Sequence, residues 1–147
     1  MTQTYSPVTK LNDLIKGIEF AMLTTVRPNG RLHSCPMATG EADGEGVLWF
    51  FSGNNSEKVE GIKSDPRVNL AYSDSGGQRY VSITGSAEPV RDHVKAKELW
   101  NLRYEMWFPK GIEDPNLILL KVHVQAAEYW DETVGRMLPL TGFARHP

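Results

Sequence analysis

A chain of 147 residues with 16 basic and 18 acidic side chains, net charge −2, can bury one sizeable core and carries no basic stripe for nucleic acid or an anionic membrane surface. Its single cysteine, Cys35, cannot form an internal disulfide, the start Met1-Thr2-Gln3-Thr4-Tyr5 lacks the charged-then-apolar order of a secretory leader, and no apolar run nears the roughly 20 residues of a membrane helix. The expectation is one soluble, cytoplasmic domain over 1–147, with a small molecule or another protein as partner.

Ser6-Pro7 can cap and open a helix, and Leu11, Leu14, Ile15 and Ile18 recur at helical spacing, predicting a short amphipathic helix to about Gly17 or Glu19. A hairpin follows, Phe20 to Val26 and Arg31 to Ala38, turning at Arg27-Pro28-Asn29-Gly30, where Asn-Gly offers the positive φ of tight turns. After the Gly/Asp-rich stretch 40–46 comes a strand from Val47 to Ser52, then a helix from about Ser56 to Ser64. Asp65-Pro66 closes that helix, because proline disfavours helix in the residue before it. Val68, Leu70 and Tyr72 alternate with polar or small neighbours, predicting a strand over 67–73, and Asp74-Ser75-Gly76-Gly77 turns it. Tyr80 to Val90 reads as a fifth strand, its face Tyr80, Ser82, Thr84 and Ser86 small enough to leave room for something bound. Ala96, Leu99, Leu102 and Met106 predict one helix from Asp92 to about Trp107, and a final strand runs from Leu117 to about Tyr129.

Six strands joined by tight turns and interrupted by short helices, without βαβ alternation, fit a mainly β, α+β, six-stranded antiparallel barrel. The aromatic residues Trp100, Trp107, Phe108, Trp130 and Phe143 gather late, more than a small barrel hides, which points to a partner subunit.

The segment Trp49-Phe50-Phe51-Ser52-Gly53-Asn54-Asn55-Ser56-Glu57-Lys58 turns an aromatic strand into a helix start bearing a hydroxyl and an ammonium. Free N–H groups at a helix N-terminus beside Ser56 and Lys58 suit a phosphate, and the strand before them suits a flat ring. Taken alone, the fragment fits a plain capped helix with a solvated lysine better than it fits a phosphate site.

In this order and spacing, Met22-Leu23-Thr24-Thr25, Gly30 to Met37, Leu48 to Ser52 with Ser56-Glu57-Lys58, Asp65 to Tyr72 and Tyr80 to Ala87 resemble the flavin-binding split-barrel proteins related to pyridoxamine 5′-phosphate oxidase, in particular the general stress protein 26 group. The resemblance covers roughly residues 10–130. It implies a homodimer with FMN, or FAD in its place, at the subunit interface. The phosphate would lie near Ser56 and Lys58. The strand His33, Ser34, Cys35, Pro36 and Met37 would run beside the ring and ribityl chain, with Phe50, Phe51 and Ser52 lining the same cleft and Tyr80 and Trp107 reaching it across the dimer. Pyridoxamine phosphate oxidases also carry a longer C-terminal region with an arginine and a histidine for the substrate phosphate. The tail here has Arg145 and His146 but not that arrangement, so the resemblance implies flavin binding without implying oxidation of pyridoxamine phosphate.

His33 and Cys35, two apart on a strand, share a face and raise a Cys/His nucleophile, yet no orienting third group accompanies them. His33, His93, His123 and His146 lack metal-site spacing, and there is no CxxC, so no metal is expected. Trp100 and Trp107, seven apart, would share a helix face as packing or as a cofactor clamp. The functional expectation is a flavin-dependent oxidoreductase of unknown small substrate. A non-catalytic flavin carrier or redox sensor is the alternative, and a split barrel holding heme or a deazaflavin a remoter one.

Overall fold

The computed structural model describes residues 6–143. Three α-helices, α1 (Pro7–Ile15), α2 (Glu57–Ser64) and α3 (His93–Leu99), accompany seven strands. These are β1 (Phe20–Val26), β2 (Leu32–Ala38), β3 (Val47–Gly53), β4 (Arg67–Asp74), β5 (Arg79–Val90), β6 (Leu117–Asp131) and β7 (Arg136–Leu140). All pairings are antiparallel and form one sheet in the order β2-β1-β4-β5-β6-β3, with β7 also on β6. This is the α+β split barrel expected from the sequence.

Strand alternation directs Leu23, Leu70, Tyr72, Ile83, Leu120 and Val122 to one interior, where Leu11 and Ile15 of α1 and Val59 and Ile62 of α2 join them. Ser6 caps α1, its hydroxyl accepting from the Val8 N–H, and Pro7 fills the first helical position. The two longest strands, β5 and β6, curl the sheet, and their register slips at Thr84/Gly85, a bulge that raises local twist. At Gly85 the β6 backbone presses so close that any Cβ would fall on the His123 carbonyl.

The β1–β2 hairpin turns as a type I turn followed by a bulge, with the Gly30 N–H donating to Arg27 O and the Arg27 N–H to Arg31 O. Only Gly30 takes positive φ; Asn29 does not, and its side chain instead accepts from the Arg31 N–H.

Two expectations are corrected. The helix predicted over 92–107 is two pieces, α3 and a 3-10 helix at Leu102–Met106, because Trp100 is extended and Asn101 caps a new turn through the Arg103 N–H. The helix face that Ala96, Leu99, Leu102 and Met106 would share is therefore broken, with Leu102 76% and Met106 82% exposed. Among the described residues there are also seven strands where six were expected. The chain turns at Asp131–Gly135, with the Gly135 N–H donating to Asp131 O, and β7 returns along β6. Pro139 masks β7 in the sequence and is tolerated at a sheet margin. Arg145 and His146 lie outside the described residues.

Candidate functional site

The two ends of the sheet order, β2 and β3, are each paired on one side only, β2 with β1 and β3 with β6. Where the barrel fails to close between them lies a cleft of about 170 Å³. Pro36, Met37 and Ala38 of β2 line one side and Phe51, Ser52 and Gly53 of β3 the other. Lys58 of α2 joins them, along with Phe20, Tyr104, Trp107 and Phe108. The free sides of β2 and β3 thus converge on one opening, each with a row of backbone groups not used by a second neighbour.

β3 is shielded on both faces, which explains its unbroken apolar run. Phe50 faces the barrel core and is fully buried, while Phe51 faces outward beneath the 100–108 segment. There it meets Trp100 edge-on at 5.3 Å, Tyr104 at 4.9 Å and Phe108 at 6.4 Å between ring centroids. Trp107 packs edge-on against Phe20 at 5.6 Å. The 100–108 segment is therefore an aromatic wall of the cleft, held in place by Phe51 and Phe20.

The β3–α2 turn brings the positive end of α2 to the same opening. Ser56 is its N-cap, accepting from the Val59 N–H at 3.4 Å, and the first N–H groups of such a helix have no intrahelical partner. Glu57 would oppose an anion there, but Arg27 pairs with it at 3.0 Å and leaves the half-buried Lys58 as the cation facing the cleft. Ser52 is buried beside it, with only a long contact to its neighbour's carbonyl, 3.4 Å to Gly53 O. Ring space, polar strand margins, a helix N-terminus and an ammonium suit an anionic ligand with a flat body.

The predicted site residues divide. Pro36, Met37, Phe51, Ser52, Lys58 and Trp107 line the cleft, and Ser56 caps the helix that brings Lys58 to it. Phe50 does not line it, because strand alternation turns it into the core. His33 and Ser34 are exposed nearer the hairpin turn, with Ser34 Oγ 2.6 Å from Thr24 Oγ1, and Cys35 is half-buried against Met37. Tyr80 opens β5 opposite Ser73 and is not among the lining residues of this chain's cleft. Trp100 reaches Phe51 but not the cleft itself, and the break at Asn101 removes the helix that would have aligned it with Trp107.

Sequence reasoning missed Phe20, Ala38, Tyr104 and Phe108. Tyr104 and Phe108 carried a signal, an i, i+4 aromatic pair in a segment dense with rings, whereas nothing local distinguishes Phe20 or Ala38. Among the described residues no three His, Cys, Asp or Glu side chains gather as a metal site, and no helix is long and apolar enough to cross a membrane.

A family model described as pyridoxamine 5′-phosphate oxidase like matches residues 6–146. The chain belongs to that family. Within reach of this pyridoxamine 5′-phosphate oxidase-like chain is the protein bli-3 of Neurospora crassa, 29% identical over 133 residues and covering 82% of this chain. The chain spans 64% of the length of bli-3. General stress protein 26 of Bacillus anthracis superimposes with a TM-score of 0.73 at 26% identity, covering 90% of this chain and 95% of its own. A general stress FMN/FAD binding protein of Xanthomonas citri does so at 0.70 and 28%, covering 84% of this chain and 87% of its own.

Proposed function

We propose that this chain is a cytoplasmic, general-stress-type flavoprotein that binds FMN, with FAD as the variant ligand, in the cleft between β2 and β3, and that it works as a homodimer completing that cleft. The observation that carries the reading is the convergence of the free sides of β2 and β3 and the N-terminus of α2 on one aromatic-walled opening. Lys58 and the first N–H groups of α2 would take the phosphate. The margin groups of Pro36–Ala38 and Phe51–Gly53 would take the polar edge of the ring, with Trp107 covering it.

Size argues for the second subunit. A cleft of about 170 Å³ is smaller than the roughly 300 Å³ and more of most small-molecule pockets, and a wall from a second subunit would complete it. Phe20, Met22 and Leu32 are exposed on the outer face of the β1–β2 hairpin, and Trp107, Met106 and Leu102 on the adjoining segment. A second copy covering them would supply that wall. The kinship with the FMN/FAD binding protein of Xanthomonas citri supports the cofactor class.

A bound flavin supplies two-electron redox chemistry, and this chain's residues would anchor it, orient it and limit water. The proposed activity is electron transfer between a reduced nucleotide and a small acceptor. One observation favours a second reading, a carrier or redox sensor: of the cleft's lining residues only Lys58 and Tyr104 carry a group able to exchange a proton in ordinary acid–base catalysis.

The visible spectrum of the full chain, titrated with FMN and with FAD, tests the proposal. Saturable, near-stoichiometric uptake per subunit with flavin bands is expected, and a colourless protein that ignores both overturns it. Turnover of NADH or NADPH by the loaded protein then favours the enzyme, whereas tight binding without turnover favours the carrier.

A further inference from the structure

On β2, His33, Cys35 and Met37 occupy alternate positions, so their side chains leave the same face of the strand. The register identifies that face: they stand opposite Thr25, Leu23 and Ala21, the buried residues of β1. Cys35 Sγ and Met37 Sδ lie 4.0 Å apart. Two sulfurs at that spacing, each about 2.3 Å from a shared ion, subtend an angle of about 120° at it, the value of a trigonal site.

We propose that His33, Cys35 and Met37 form a binding site for a soft monovalent cation of the Cu+ class. Thiolate and thioether together select such an ion over Zn2+, Mg2+ or Ca2+, and the imidazole of His33 supplies the third ligand. A second observation lies across the strand pair. Thr25, the register partner of His33, is 1% exposed, and its Oγ1 has no hydrogen-bond partner. His33 is exposed and does not hydrogen-bond that oxygen in the structure; an imidazole turned toward β1 to ligate would bring its other ring nitrogen to it, the kind of outer contact that orients metal-bound histidines. Histidine spacing and paired cysteines are the usual sequence cues for a metal, and a site built on a thioether shows neither.

Binding exchanges the Cys35 thiol proton for the ion, releasing one H+ per Cu+, and no electrons move. Thiolate and Cu+ sum to zero charge, so a half-buried position does not strand an unpaired ion in apolar surroundings. Met37 also lines the β2–β3 cleft, which places the cation in the wall of that opening. The three ligands all stand on β2, and because Met37 is shared with the cleft the titration is made without added flavin.

The test is an anaerobic titration of the full chain with Cu+, supplied as its acetonitrile complex, against the chromophoric chelator bathocuproine disulfonate. One Cu+ retained per chain is expected, with retention weakened about tenfold or more in Cys35→Ser and in the volume-conserving Met37→Leu, and weakened in His33→Ala. Far-ultraviolet circular dichroism checks that each variant folds. A wild-type chain that yields all its Cu+ to the chelator overturns the site. So does Cys35→Ser holding Cu+ as well as wild type, or Met37→Leu and His33→Ala both binding as tightly as wild type, which would mark a bare thiol.

Discussion

Lys58 and Tyr72 show how one position decides a local property. Lys58 is the ammonium that remains for the cleft once Arg27 has paired with Glu57. Lys58→Ala is expected to weaken FMN binding by about 1.5–3 kcal/mol, roughly ten- to a hundredfold in Kd, in a fluorescence titration. Tyr72 is buried in the core, and that burial pushes its phenol up to about 12 from 10, even though its hydrogen bond with Thr39 Oγ1 at 2.9 Å pulls the other way. The folded chain thus holds this proton after the unfolded chain has lost it. The contribution is complete below pH 10 and is lost as pH rises through 10 to 12. Urea midpoints at pH 9 and 11 are expected to fall more in wild type than in Tyr72→Phe. Single residues were also where the sequence was least legible. Phe50 and Phe51 are adjacent and alike in composition, and only the direction of the pleat, set by the β3–β6 register, sends one to the core and the other to the aromatic wall.

Elements were more legible because their signals are local. Ser6-Pro7, Ser56 and Asp65-Pro66 mark helix ends through capping and through proline's effect on its neighbour, and all three boundaries stand where those groups put them. The segment after β5 departs from its helical spacing because Asn101 offers the backbone a competing cap in the middle of it. α2 bears on β1 at Gly61, where an added Cβ would fall on the Val26 carbonyl oxygen. Gly61→Ala should therefore cost stability despite the roughly 1 kcal/mol that alanine gains over glycine in a helix. A net loss of about 1–2 kcal/mol is expected, read as a lower urea midpoint with unchanged slope. Because α2 also carries Lys58, the same variant is expected to weaken flavin binding.

For the molecule as a whole, the barrel class was legible from six strand-like runs and their turns. The opening was not, since it depends on which strands end the sheet, and β1 with β4 and β3 with β6 join segments far apart in sequence. The exposed apolar residues of the β1–β2 hairpin fit a face covered by a second copy. Sedimentation is expected to report a dimer for the wild type, and a monomer with reduced flavin affinity for Met22→Lys combined with Leu32→Lys. A monomeric wild type that binds FMN at full affinity would remove the partner from the site.

The pairing of β3 with β6 alone has a consequence during synthesis. β3 leaves the ribosome about 70 residues before the segment that pairs with it, an interval of roughly 3.5–14 s at ordinary elongation rates. Val47-Leu48-Trp49-Phe50-Phe51 is apolar, uncharged and strand-prone, the kind of segment that stacks with its own copies when left unpaired. The nascent chain is thus most exposed to aggregation between the emergence of β3 and that of β6, and a chaperone that shields aromatic strands would act in that window.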